Sequence, residues 1–200
     1  MNILITWTNS WIWKYLKENL EKEFNVFKVS KRKAEEKNFF KCDLTKKEEI
    51  QNLDFKENIF DLVIFNSWVW YFWEFFQGNL ENYEEVINLN ILWNIRLLKK
   101  LQNNINKNTK LIFIWSYAWK KFFKDWAVYT ASKFALRWFS WALKKDWRKV
   151  FLVNPKIVET SFHKQKIKIW KNIKKTSLKA ILETIKNIIS WKETKFEIDL

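Results

Sequence analysis

The chain has 200 residues, enough for one domain with a substantial core. Its formal charge of +15, from 37 basic and 22 acidic residues, suits nucleic acid, anionic lipid or a phosphorylated ligand, but the cations are spread out and read mainly as a solvated surface. One cysteine, Cys42, excludes an internal disulfide framework and a cysteine-built zinc site; with no signal-peptide pattern and no apolar run near about 18 residues, a soluble cytoplasmic protein is expected.

Asn2 to Thr6 reads as a short buried strand, and Tyr15 to Phe24 as an amphipathic helix with Leu16, Leu20 and Phe24 on one face. The connection between them holds Thr6, Trp7, Asn9, Ser10, Trp11, Ile12 and Trp13, and three indoles are sterically awkward in so tight a strand-to-helix turn. Asn25 to Val29 is a second strand that ends in Ser30, Lys31 and Arg32, and Phe39 to Asp43 a third, followed by Leu44. Asp43 is placed to cap a helix over Lys46 to Leu53. Phe60 to Phe65 is the fourth strand and runs into Asn66, Ser67, Trp68 and Val69. A long helical pattern from Leu80 to Ile105 carries Asn90 and, three residues on, Trp93.

The apolar run Leu111 to Ile114 is a buried strand that leads to Ser116. Ala127 to Lys144 suits a helix, on which Tyr129 and Lys133 share a face because they are four residues apart. A cation beside a phenol favours the phenolate, which is what a tyrosine needs to exchange protons near neutral pH. Lys149 to Val153 is a sixth strand, leading into Asn154-Pro-Lys-Ile-Val-Glu-Thr160. The only histidine, His163, reads as a loop residue; Thr176 to Ser190 is a last amphipathic helix, and Lys195 to Leu200 a short final strand.

Glycine is nearly missing. A chain of this length should hold about 14, yet this one holds one glycine and fifteen tryptophans. The excess of Lys, Asn, Ile and Phe matches very AT-rich coding DNA. The hypothesis is that most tryptophan positions are glycine in the native protein, since the codon UGA is one base from GGA and some bacteria read it as glycine. Tryptophan found at these positions in a mass spectrum of native peptides would sink it. A blocked cofactor turn is expected if the indoles at 7, 11 and 13 are real.

Ser116-Tyr-Ala-Trp119 followed by Val128-Tyr-Thr-Ala-Ser-Lys-Phe-Ala-Leu136 resembles the active-site segment of the short-chain dehydrogenase/reductase family, including the serine-to-tyrosine spacing. With glycine for tryptophan, residues 6–13 resemble its dinucleotide-binding turn, where glycine lets the backbone approach a pyrophosphate. Asn66-Ser67-Trp68 is similar to its Asn-Ala-Gly segment, Asp43-Leu44 to its adenine-contacting pair, and Asn90 with Trp93 to its asparagine with a following glycine. Pro155, Val158 and Thr160 resemble the loop over the nicotinamide, from which Lys156 departs.

The resemblance implies hydride transfer between a nicotinamide and a small carbonyl or alcohol substrate. Tyr129 would be the general acid or base, Lys133 would lower its pKa and bind the nicotinamide ribose, Ser116 would hydrogen-bond the substrate oxygen, and Asn90 would hold a relay water. Cations after the second strand favour NADP(H) over NAD(H), because an acidic residue there would suit the ribose hydroxyl of NAD instead. The implied fold is α/β, a doubly wound Rossmann-type parallel sheet flanked by helices, in a single domain over 1–200. Relatives pair as homodimers or homotetramers, and neither membrane nor nucleic acid is an expected partner. Two rivals stand beside this: an inactive nucleotide-binding protein of the same fold, and a basic, tryptophan-rich binder of single-stranded nucleic acid.

Overall fold

The computed structural model describes residues 1–7, 11–32, 36–69, 71, 73–115, 124–147, 149–158 and 175–200. Strands β1 (Asn2–Trp7), β2 (Asn25–Ser30), β3 (Phe39–Lys41), β4 (Leu62–Phe65), β5 (Lys110–Ile114) and β6 (Val150–Asn154) are followed by a two-residue pair, β7 (Ile157–Val158) and β8 (Lys175–Thr176), and by β9 (Glu197–Asp199). The helices are α1 (Trp11–Leu20), α2 (Lys47–Gln51), α3 (Leu80–Ile87), α4 (Trp93–Lys100), α5 (Ala127–Trp147) and α6 (Leu178–Ile189). Seven strands form one sheet in the order β3-β2-β1-β4-β5-β6-β9, every pair parallel.

A parallel sheet is covered on both faces, so its strands are apolar throughout and alternate residues feed opposite cores. Leu4, Val63, Phe65, Leu111, Phe113 and Leu152 point to the layer containing Leu44, Ile50, Trp93, Leu97 and Leu136, the face of α2, α4 and α5. Ile3, Ile5, Leu62, Ile64, Ile112 and Val153 point the other way, to Leu16, Ile181, Ile185 and Ile188 of α1 and α6. The strand order reverses between β1 and β4, so the carboxyl ends of these two strands flank the crevice where such sheets bind ligands.

Several local expectations are corrected. Helix α1 starts at Trp11 and ends at Leu20, so Phe24 lies beyond it, its N–H bonded to Leu20 O. Trp13 lies in the first turn of α1 with its side chain buried in the α1–α6 core, not in the connection between β1 and α1 where the sequence pattern put it. Asp43 is not a helix cap: Lys46 stands at the N-cap without a side-chain bond, while Asp43 Oδ1 accepts from Thr45 N and Oγ1. The predicted helix over Leu80 to Ile105 is interrupted at Asn88–Leu92 by a π-turn, and the small β7–β8 sheet has no signal in the sequence.

The one written glycine, Gly78, has an ordinary φ of −78° but no room: a Cβ there would lie 1.9 Å from Tyr83 Oη. A second position favours glycine and does not have it. After α6, Lys192 N bonds Asn187 O at 2.9 Å and Trp191 N bonds Ile188 O at 3.3 Å, the paired bonds of a Schellman cap, with Trp191 at φ 59°. That left-handed seat strains any residue with a Cβ by roughly 1–2 kcal/mol. The Trp191 ring is partly retained by Lys110, whose Nζ lies 4.2 Å from its centroid. Trp191→Gly is therefore expected to be more stable than Trp191→Ala by about 1 kcal/mol in denaturant titration, since both lose the ring and only one relieves the backbone.

Candidate active site

The carboxyl ends of β1, β4 and β5 assemble the site. Thr6, fully buried, donates from Oγ1 to Ile64 O and accepts the Asn66 N–H at 3.0 Å, which locks the end of β4 to that of β1. Ser67 follows, its hydroxyl buried and without a hydrogen-bond partner among the described residues. An unmatched buried hydroxyl at the sheet's ligand-binding edge fits a polar group of a bound molecule.

Asn90 lies in the π-turn, a distortion common at functional positions. Its Oδ1 accepts from Val69 N at 2.9 Å, and its Nδ2 donates to Val69 O at 3.0 Å and to Ser132 Oγ at 2.9 Å. Ser132 in turn donates to Tyr129 O at 2.7 Å. One buried amide thus ties the loop after β4 to the turn of α5 that carries Tyr129 and Lys133. Asn94 Nδ2 holds the Asn90 carbonyl at 3.0 Å. Neither Ser132 nor Asn94 was singled out from the sequence, although each sits three or four residues from a predicted site residue on the same helix.

Tyr129 and Lys133 do share a face of α5, and both are buried. The Lys133 ammonium lies 5.2 Å from the Tyr129 ring centroid, 5.2 Å from that of Trp68 and 5.0 Å from that of Trp115. Burial pushes its pKa down to about 7. The amine beside the Tyr129 ring therefore changes charge near neutrality. The donors present fit a nicotinamide ribose, and the rings of Trp68 and Trp115 stand beside the Lys133 ammonium that would reach it. Trp115 Nε1, like Trp93 Nε1 in the core, is buried without a hydrogen-bond partner among the described residues, which costs roughly 1–3 kcal/mol each.

At the other end of the crevice, Ser30 is the last residue of β2, and Lys31 and Arg32 follow it. Lys31 Nζ is already paired with Asp43 Oδ2 at 2.8 Å. The hydrogen bond to Asp43 raises the Lys31 pKa. For Asp43 itself, burial alone would raise the carboxyl, but bonds from Lys31 and Thr45 outweigh it and hold it below its usual range. Leu44 is a core residue. Pro155 and Val158 are buried just past β6, and Lys156 N donates to Thr176 Oγ1 at 2.9 Å. Asn9, Ser10, Ser116, Trp119, Thr160 and His163 lie outside the described residues, as do the side chains of Trp7 and Trp11; Ile12 packs in the core.

Lys133 gives a pH test. Its folded pKa, about 7, is below the ordinary 10.5, so the unfolded chain binds the extra proton between those values and stability must rise with pH there. Unfolding midpoints are expected to increase from pH 7 to pH 9 in the parent chain, and to lose that part of the increase in Lys133→Met.

Comparison with known proteins bears on the family and the fold. The family model described as short chain dehydrogenase matches residues 14–172. No match is found among curated proteins. Among solved structures, a short chain dehydrogenase family protein from Francisella tularensis subsp. tularensis SCHU S4 superposes with a TM-score of 0.84 at 24% identity, over 100% of this chain and 96% of that one. A short-chain dehydrogenase/reductase from Vibrio parahaemolyticus gives 0.81 at 16% identity, over 99% and 98%. A closed serine dehydrogenase complexed with NADP+ gives 0.81 at 16% identity, over 100% and 94%. With the model match spanning most of its length, and with the seven-stranded parallel sheet those structures share, this chain belongs to the short chain dehydrogenase family.

Proposed function

We propose that the protein is an NADP(H)-dependent oxidoreductase that interconverts a small carbonyl compound and its alcohol. The observation that carries the reading is the buried Tyr129–Lys133 pair, held by Asn90 through Ser132. In reduction Tyr129 gives its hydroxyl proton to the substrate oxygen; in oxidation it takes that proton back. Lys133 supplies positive charge when protonated, which stabilises the phenolate, and its position suits the nicotinamide ribose. Ser116 hydrogen-bonds the substrate oxygen and Asn90 holds the relay water. When bound, the nicotinamide provides the hydride chemistry. The cofactor seat comprises the turn between β1 and α1, Asn66 to Trp68, and the loop from Pro155 to Thr160. Lys31 and Arg32, both exposed, favour the 2′-phosphate of NADP(H).

Glycine at most of the tryptophan positions belongs to the same reading. The Trp191 cap, the indole N–H groups of Trp93 and Trp115 that find no partner among the described residues, and the rings beside Lys133 all support it. If those indoles are real, the same rings favour a second reading, a family member that no longer takes up the cofactor. Self-association is supported by exposed Ile87, Ile95, Trp138 and Trp141 on α3, α4 and α5. Among the described residues no helix is long and apolar enough to cross a membrane.

The deciding experiment titrates NADPH and NADH against the chain as written and against a version with glycine at all fifteen tryptophan positions. Binding by the glycine version alone, with NADPH preferred, is the expected result. Failure of both versions to bind either nucleotide, with salt-dependent nucleic-acid binding by the written chain, would overturn the reductase assignment. Tyr129→Phe is expected to lower turnover by about 10²–10⁴-fold with cofactor affinity unchanged.

A further inference from the structure

We propose that Asp43 sets how strongly the site prefers a 2′-phosphate, by competing for the Lys31 ammonium. This rests on the dinucleotide reading above and names a specificity-determining residue within it. Lys31 follows β2, the strand whose end faces the 2′ position of the adenosine ribose in this fold. Asp43 stands just past the neighbouring strand β3, whose Lys41 pairs with Ser30. The ammonium and Asp43 Oδ2 are 2.8 Å apart.

The two partners differ in freedom. The Asp43 side chain is 10% exposed and fixed, with Oδ1 accepting from Thr45 N at 3.1 Å and Thr45 Oγ1 at 2.7 Å, and its own N–H bonded to Glu49 Oε2 at 2.7 Å. Lys31 is 73% exposed on a long flexible stem. The ammonium is therefore the member that moves. To reach a phosphate it must leave a carboxylate that stays in place, and the gain from the phosphate is reduced by that loss. Arg32 makes no ion pair among the described residues; its backbone N–H is held by Ser30 Oγ at 3.3 Å. Its guanidinium pays no such exchange, so it supplies the unrestrained part of the preference. Asp43 acts through Lys31 and is a positioning residue.

The test is a double-mutant cycle on the ratio of NADPH to NADH affinity, in whichever full-length version takes up NADPH. Asp43→Asn keeps an oxygen for Thr45 but releases Lys31, and is expected to raise the ratio about two- to fivefold, the worth of an exposed ion pair. Lys31→Met, a surface change, is expected to lower it by about tenfold, as for a charge-assisted bond to phosphate. In the Lys31→Met background, Asp43→Asn is expected to leave the ratio unchanged. An equal rise with and without Lys31 would mean that Asp43 only repels the phosphate directly, and would overturn the proposal. So would parallel losses for both nucleotides, the mark of a structural role. If neither nucleotide binds any version, the dinucleotide reading itself fails, which is a different result from a flat ratio.

Discussion

Keeping an amine out of water beside a phenol is the constraint around which this molecule is arranged. Lys133 is enclosed on α5, and its only compensation among the described residues comes from aromatic faces. Such a group is tolerated only where the surrounding scaffold over-determines its position. The scaffold here is a chain of buried polar contacts: Asn90 grips the Val69 backbone and Ser132, and Ser132 grips the Tyr129 carbonyl. Asn90 makes these contacts from the π-turn in the middle of the α3–α4 run. Sheet, helices and loop meet at this one position, and the sheet's alternating faces hold the rest of α5 against it.

Much of this was legible in the letters. Continuous apolar runs bounded by polar residues marked β4, β5 and β6, because strands buried on both faces have no polar side to confuse the pattern. The four-residue spacing of Tyr129 and Lys133 gave the shared face directly. What was not legible depends on tertiary partners. Asp43 looks like a cap by sequence position, yet Lys31 and Thr45 claim its oxygens across the chain turn. A π-turn has no composition of its own, so Asn90 read as one residue in a plain helix. Trp13 was assigned to the turn by its motif position, but helical phase carries its side chain into the α1–α6 core.

Tryptophan and glycine are the most dissimilar pair of residues in volume and backbone freedom, and the structure treats the tryptophans unevenly. Trp147 is well accommodated, its Nε1 donating to Thr109 O at 3.0 Å. Trp93 packs on Phe65 but leaves its N–H without a partner among the described residues, and Trp191 adopts the left-handed conformation that bulky side chains rarely take. These defects lie at different depths and in different elements. Trp191 is also outside the segment matched by the family model, so the strain there owes nothing to any motif.

The two-rung β7–β8 ladder has a quieter effect. Ile157 pairs with Lys175 and Val158 with Thr176, and Thr176 Oγ1 joins Lys156 N to the Leu200 carbonyl. The ladder clips the chain together at its base before it continues into α6. With both rungs and the Leu200 carbonyl tied to Thr176, the exit of β6 and the entry of α6 are held to the end of the chain. A pull on the last residues of the chain would therefore be felt at Lys156, just beyond β6, before it reached the helix that carries Tyr129 and Lys133.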